Sequence, residues 1–266
     1  LKNLILNTDY RFVSGNMMKY NIKRKENVFS QHKQLLSDSF KNVSFVCDNI
    51  VPPSYGPRSG YGRNQRGIEK YIKQNVNSTT TFLEIGPGGG QWSREIYSIA
   101  KHLHCVDIKS AKENHFWNYV PQSDKISYHH VNNNHLTCIN DNTIDCVFTY
   151  DTFCYLTYNE IKNYMTALKT KCRPGCKLFI SYGDIYKFFK NEPHRISNCE
   201  KEYNIFNDHD KLKSTMNEYF DAVPVKGKWF WLGIDRFCKL AIQCGFKVIE
   251  KDLNIDKTNP LTYLEC

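Results

Sequence analysis

Residues 79–92, Thr79-Thr80-Thr81-Phe82-Leu83-Glu84-Ile85-Gly86-Pro87-Gly88-Gly89-Gly90-Gln91-Trp92, decide how the rest of the chain is organised. Three β-branched threonines followed by Phe82, Leu83 and Ile85 make a short, mostly apolar run that suits a buried parallel strand ending at Gly86. Gly86, Gly88, Gly89 and Gly90 then allow a tight turn and let backbone N–H groups approach a ligand, while Pro87 stiffens the loop. A helix is predicted from Gln91 to Lys101, and a second strand from Leu103 to Ile108. That strand carries Asp107, about 20 residues past the glycines, where a nucleotide-binding α/β unit places the carboxylate that accepts from ribose hydroxyls.

The spacing of the glycines selects among ligands. A dinucleotide fingerprint needs glycine at its first, third and sixth positions, here Gly86, Gly88 and Gln91, so NAD is not the expected ligand. The pattern Glu84-x-Gly86-x-Gly88-x-Gly90 resembles instead the first motif of the class I S-adenosylmethionine-dependent methyltransferases. The resemblance implies that Gly86, Pro87, Gly88 and Gly90 lie against the methionine part of S-adenosylmethionine, and that Glu84 supports the loop and the cofactor amino group. It also implies that Asp107 and Ile108 meet the nucleoside, that Trp92 and Tyr150 complete the cofactor site, and that S-adenosylhomocysteine is the product. In that family an Asp after the third strand often contacts the adenine amino group. Asn132-Asn133-Asn134 stands there in this chain, and an amide carbonyl of Asn132 or Asn133 can accept the same hydrogen bond.

Outward from the glycine loop the chain alternates strand and helix, which predicts a Rossmann-like α/β fold with helices on both faces of a mostly parallel sheet. Helix is expected at Ile68–Gln74, Ala111–Trp117, Tyr158–Lys171 and Gly233–Cys244. Further strands are expected at Ile126–Val131, Ile144–Tyr150, Cys176–Tyr182, Phe246–Leu253 and Leu261–Glu265, with a turn at Arg173-Pro174-Gly175. The resemblance spans residues 68–266 and implies seven strands, the final one antiparallel. Residues 1–67 form an N-terminal extension: an arm, a helix capped by Ser30 and a glycine-rich basic loop from Ser54 to Gly67. Residues 184–232 read as a substrate-side insertion after the fifth strand, too long for an ordinary connection. Its aromatic residues Tyr186, Phe188, Trp229 and Trp231 either stack on a sugar or form the insertion's own small core, the second being the more frequent use.

Length and composition bound the remaining choices. The chain has 266 residues, a formal charge of +9, and no apolar run near the roughly 18 residues that span a bilayer. It begins at Leu1 without a signal-peptide layout, and reads as a segment of a longer protein whose other domains are expected partners. Eleven cysteines without C-x-x-C pairs suit buried thiols in a reducing, cytoplasmic compartment. His102, His104, His129 and His130 are expected to be structural residues and not metal ligands.

Asp151 holds the central catalytic expectation. It follows the fourth strand at the edge of the crevice, where a carboxylate can take the proton of an attacking hydroxyl; the competing reading is a turn cap. Asp184 and His194 are the reserve candidates. Some O-methyltransferases hold Mg2+ with an Asp after the fourth strand and Asp-Asn after the fifth; Asp151 and Asp184 stand at these places, but Ile185 follows Asp184, so catalytic Mg2+ is the less favoured alternative. The run Asn142 to Phe153, together with Glu84 to Trp92, is similar to the branch of the family associated with glycan assembly, which implies O-methylation of a sugar hydroxyl on a carbohydrate or glycoconjugate. An RNA methyltransferase, suggested by the basic N-terminal segment, and a non-catalytic cofactor-binding domain of a larger glycan-building protein are the alternatives.

Overall fold

The computed structural model describes residues 65–184, 186–187 and 231–266. The expected N-terminal arm, the Ser30 helix, most of the basic loop, and most of the insertion with Phe188, His194 and Trp229 lie outside the described residues. The strands are β1 (Thr81–Ile85), β2 (His102–Asp107), β3 (Ile126–His130), β4 (Ile144–Thr149), β5 (Cys172–Ser181), β6 (Lys247–Glu250) and β7 (Leu261–Glu265). They form one seven-stranded sheet in the order β3-β2-β1-β4-β5-β7-β6. Strands β1 to β5 pair in parallel, and β7 runs antiparallel to both β5 and β6. The chain steps outward from β1 to β3 and then returns to place β4 on the other side of β1, a reversal that opens a crevice between their carboxyl ends.

The period of two along each strand sorts side chains onto two buried faces. Leu83 and Ile85 of β1, with Val106, Val147, Leu178 and Ile180, pack on one face against α3 (Tyr158–Lys171) and α4 (Ile234–Gln243). Phe82, Leu103, Cys105, Cys146, Phe148 and Phe179 pack on the other against α1 (Gln65–Gln74), α2 (Ser93–Ile96) and Phe116. Glu84 shares the second face by alternation, so a carboxyl enters the layer between sheet and helix.

Several expected elements differ in extent. The helix after the glycine loop is the single turn α2, because the chain tightens at once to an Ile99 N–H to Ile96 C=O bond of 3.0 Å. The helix expected at Ala111–Trp117 is a series of turns ending in a short 3₁₀ segment, since His115 takes a left-handed φ of 51° and breaks the run. The turn expected at Arg173-Pro174-Gly175 lies within β5, where the register jumps from Ile144↔Cys172 to Cys146↔Lys177 and Gly175 takes φ +80°. Helix α1 begins at Gln65, three residues before its expected start at Ile68. Trp231 is 1% exposed and bridges Gly183, which supports a core role for this member of the insertion's aromatic set.

Helix α3 starts at a reciprocal cap. Thr157 Oγ1 accepts from Glu160 N at 3.3 Å, and the Glu160 carboxylate accepts from Thr157 N at 2.8 Å. Thr157→Ala should lower stability by about 1 kcal/mol, read as a fall of a few degrees in thermal melting with the cofactor affinity unchanged.

Candidate active site

The glycine loop is tied down from both sides. Gly86 N–H donates to Val106 C=O at 2.8 Å, Gly90 N–H donates to Pro87 C=O at 2.8 Å, and Arg94 N–H donates to Gly90 C=O at 3.0 Å. Gly86 has φ +73°, and a Cβ built on it would lie 2.1 Å from Thr152 Oγ1. Gly90 has φ +82°, and a Cβ there would lie 2.3 Å from Val120 Cγ2. Neither position admits a side chain. Gly88 differs, because its missing side chain faces open space. The loop thus packs tightly at Gly86 and Gly90 and leaves backbone accessible at Gly88.

Glu84 lies beneath the loop and is 1% exposed. Ser93 Oγ donates to its carboxylate at 2.5 Å, which joins the end of β1 to the first turn of α2. Burial, opposed by the Ser93 hydrogen bond and reinforced by nearby Asp107, pushes the Glu84 carboxyl up from 4.5 to about 8. The Ser93 bond thus ties the strand before the loop to the helical turn after it. Trp92 is also interior: its ring meets Phe148 and Tyr150 edge-on at 5.7 and 5.5 Å.

Asp107 closes the loop from the end of β2. One carboxylate oxygen accepts from Gly88 N–H at 3.2 Å and the other from Lys109 N–H at 2.9 Å. Burial raises its carboxyl above the usual range despite these bonds. The Asn114 side chain is a third donor to this carboxylate, and acceptor capacity remains for a ribose hydroxyl. Next to it Ile108 exposes 64% of its surface, an apolar face at the strand end. Beyond β3, the Asn133 carbonyl accepts from His135 N–H at 3.1 Å and its amide donates to Asn132 at 3.2 Å. Both asparagines line an open cleft of about 430 Å³ with His130, Val131, Thr137 and Cys138. These residues fit the cofactor that the sequence pattern implies: a glycine cradle, a diol acceptor, an apolar shelf and amide carbonyls lie in turn at the ends of β1, β2 and β3.

Asp151 leaves β4 with a left-handed φ of 53°. Its neighbour Thr152 leans on the glycine loop, with Oγ1 3.3 Å from Ile85 C=O and 3.4 Å from Gly86 C=O. The Thr152 contact sets the exit of β4 against the glycine turn. Tyr150 is 8% exposed and its hydroxyl donates to buried Asp256. Asn259 Nδ2 donates to Asp151 Oδ1 at 2.9 Å. These partners come from the loop between β6 and β7, which the sequence reading passed over. The Asp-x-x-Asn spacing of Asp256 and Asn259, typical of a side-chain-closed turn, was the available signal.

Asp184 requires a correction. Its Oδ1 accepts from Lys187 N–H at 2.7 Å and its Oδ2 accepts from Ile234 N–H at 2.9 Å, so the carboxylate caps α4 and the chain after β5. A buried carboxylate engaged by two backbone donors is poorly suited to serve as a base, and the reserve catalytic role is withdrawn. Among the histidines, His104 Nδ1 and His129 Nε2 meet at 3.1 Å, and His102 Nε2 meets Ser127 Oγ at 2.9 Å. Burial and the neighbouring imidazoles depress His104 to about 4. Among the described residues no group of three or more His, Cys, Asp or Glu could hold a metal, and no helix is long and apolar enough to cross a membrane. Cys105, Cys146, Cys172 and Cys176 are buried free thiols.

Residues 83–180 match the family described as methyltransferase domain. None of the curated proteins compared matches the chain. Among solved structures, the chain is similar to a SAM-dependent methyltransferase from Aquifex aeolicus, at 17% identity over 74% of this chain and 87% of that one, with a TM-score of 0.50. It is also similar to an S-adenosylmethionine-dependent methyltransferase from Mesorhizobium loti, at 11% identity over 77% of this chain and 99% of that one, with a TM-score of 0.52. At such identities the structural likeness is one of fold. The family match, to a methyltransferase domain, covers residues 83–180, under half of the chain.

Two measurements check this geometry. Gly86→Ala should remove detectable S-adenosylhomocysteine binding in calorimetry and cost at least about 1–3 kcal/mol of stability, because the left-handed φ and the Thr152 contact are both violated. Glu84 binds an extra proton in the folded state between its unfolded value of 4.5 and about 8. Its contribution is therefore most favourable below the lower value, declines by up to about 1.4 kcal/mol per pH unit across the window, and is constant above it. Glu84→Gln should flatten the stability profile across that window, as denaturant titrations at successive pH values would show.

Proposed function

We propose that this S-adenosylmethionine-dependent methyltransferase domain O-methylates a sugar hydroxyl of a glycan or glycoconjugate, with Asp151 as the general base. The single observation that carries the assignment of Asp151 is its place beside the cofactor loop: the adjacent Thr152 hydroxyl rests on Ile85 C=O and Gly86 C=O. When bound, S-adenosylmethionine supplies a methyl group on a positively charged sulfur. Gly86, Pro87, Gly88 and Gly90 would cradle its methionine part, with Glu84 holding the loop through Ser93. Asp107 would accept from the ribose hydroxyls, Ile108 would cover the adenine face, and Asn132 or Asn133 would accept from the adenine amino group.

Methyl transfer to oxygen is an in-line displacement, so most of its acceleration can come from holding the two reactants in line. The acceptor hydroxyl must still lose a proton, and Asp151 would take it. Support for a sugar comes from the Asn142 to Phe153 pattern, which is similar to the glycan-assembly branch of the family.

The test incubates the protein with methyl-labelled cofactor and a panel of glycans, nucleotide sugars and RNA. Label on a sugar hydroxyl is the expected result; label on RNA alone would replace the reading, and cofactor binding without transfer to any acceptor would point to a non-catalytic domain. On the sugar that accepts label, Asp151→Asn should slow transfer by about 100-fold to 10,000-fold while leaving cofactor affinity near that of the parent. Transfer at the parent rate would make Asp151 a turn residue and send the search for the base to His194.

A further inference from the structure

The loop from Lys251 to Pro260 reaches across the carboxyl end of the sheet at three points. Asp252 Oδ1 accepts from Asn254 N–H at 3.0 Å and Leu261 N–H at 3.2 Å, while its other oxygen takes the Lys187 ammonium. Asp256 Oδ1 accepts from Thr258 N–H at 2.7 Å and Thr258 Oγ1 at 2.9 Å, while its other oxygen takes the Tyr150 hydroxyl. Asn259 is held by its own N–H to Asp256 Oδ1 at 3.4 Å and extends its side-chain amide to Asp151 Oδ1 at 2.9 Å. Each aspartate thus closes the loop with one oxygen and binds the strand exits with the other. Asn259 is the member that touches the proposed base.

We propose that Asn259 is a positioning residue for methyl transfer: anchored by Asp256, its amide fixes the plane in which the Asp151 carboxylate meets the acceptor hydroxyl. Packing alone does not account for an asparagine here. The side chain is 1% exposed, and its Oδ1 has no hydrogen-bond partner among the described residues, so the bond to Asp151 is the one its amide is seen to make. A buried amide carbonyl left without a partner is destabilising, and an apolar residue would fill the space without that cost. Asp151, with its left-handed backbone, gains the fixed donor in return. A donor to a carboxylate also favours its ionised form, the form that accepts a proton. Among the described residues, the titratable groups whose bonds lie around this contact are Asp256 from the same loop and Tyr150 from the end of β4, which bond to each other.

The inference rests on the reading of Asp151 as the base, and the experiment separates the two. Carboxyl carbon NMR would follow the titration of Asp151 with the protein saturated in S-adenosylhomocysteine, in the parent, Asn259→Ala and Asn259→Asp. Loss of the amide donor should raise the midpoint by roughly half a unit or more, and the added carboxylate of Asn259→Asp should raise it further. On the accepting sugar, Asn259→Ala should lower kcat by roughly 10-fold or more, with the KM for S-adenosylmethionine unchanged. In an Asp151→Asn background the same substitution should have little further effect. A midpoint and kcat at parent values in either folded variant would overturn the inference; should Asn259→Ala fail to fold, the near-isosteric Asn259→Asp decides. If instead Asp151→Asn itself transfers methyl at the parent rate, it is the base assignment that fails.

Discussion

The contact between Gly86 and Thr152 is the constraint on which the site depends. A single missing side chain lets the end of β1 and the exit of β4 approach until a Cβ would stand 2.1 Å from the threonine hydroxyl. The two strands are neighbours because the chain reverses its order at this point. The reversal creates a crevice, and the glycine determines how tightly its floor can close. Asp151, next in the chain to Thr152, is carried beside the cofactor loop by the same contact. Gly90 repeats the device on the other side of the loop against Val120, so the turn is clamped at both ends and accessible between them.

Beneath this turn the sheet holds a group that a purely stabilising design would exclude. Glu84 occupies a position whose neighbours along β1 are Leu83 and Ile85, both 1% exposed or less. Its burial works against its ionisation, and the Ser93 hydroxyl offsets only part of that cost. The carboxyl connects the strand that precedes the loop with the helical turn that follows it. Such a link is directional in a way that an apolar contact is not, and it keeps the loop in one register between its two flanking elements. Asp107 does the same from the neighbouring strand by accepting from Gly88 N–H. Two carboxylates therefore shape the loop from below and from the side.

The far end of the chain completes the crevice. Strand β7 inserts antiparallel between β5 and β6, and the loop that leads into it turns back over the exits of β4 and β5. Three hydrogen-bonded crossings, through Asp252, Asp256 and Asn259, make that loop a brace. The mostly parallel half of the sheet supplies the cofactor loop, and the antiparallel edge supplies the residues that hold Asp151. A carboxylate supported in this way loses side-chain freedom, which would serve the base role proposed for Asp151.

The sequence by itself determined the parts of this protein whose cause is local. A short apolar run, a glycine cluster and an acid at the next strand end were enough to identify β1, the loop and Asp107, because strand burial and left-handed turns leave direct marks on residue type. Helix α3 was legible in full, since its apolar period is regular. The helices expected at Gln91–Lys101 and Ala111–Trp117 were overread: a helix-compatible composition does not reveal that the segment closes into tighter turns, or that His115 takes a left-handed conformation. Only the tertiary structure decided what the polar residues do. Asp184 and Asp151 look alike as acids after strands, yet two backbone N–H groups make the first a cap, while an amide 108 residues distant in sequence meets the second. That partner could not be read from the sequence because hydrogen bonds between distant segments depend on strand order, and strand order is a property of the folded sheet.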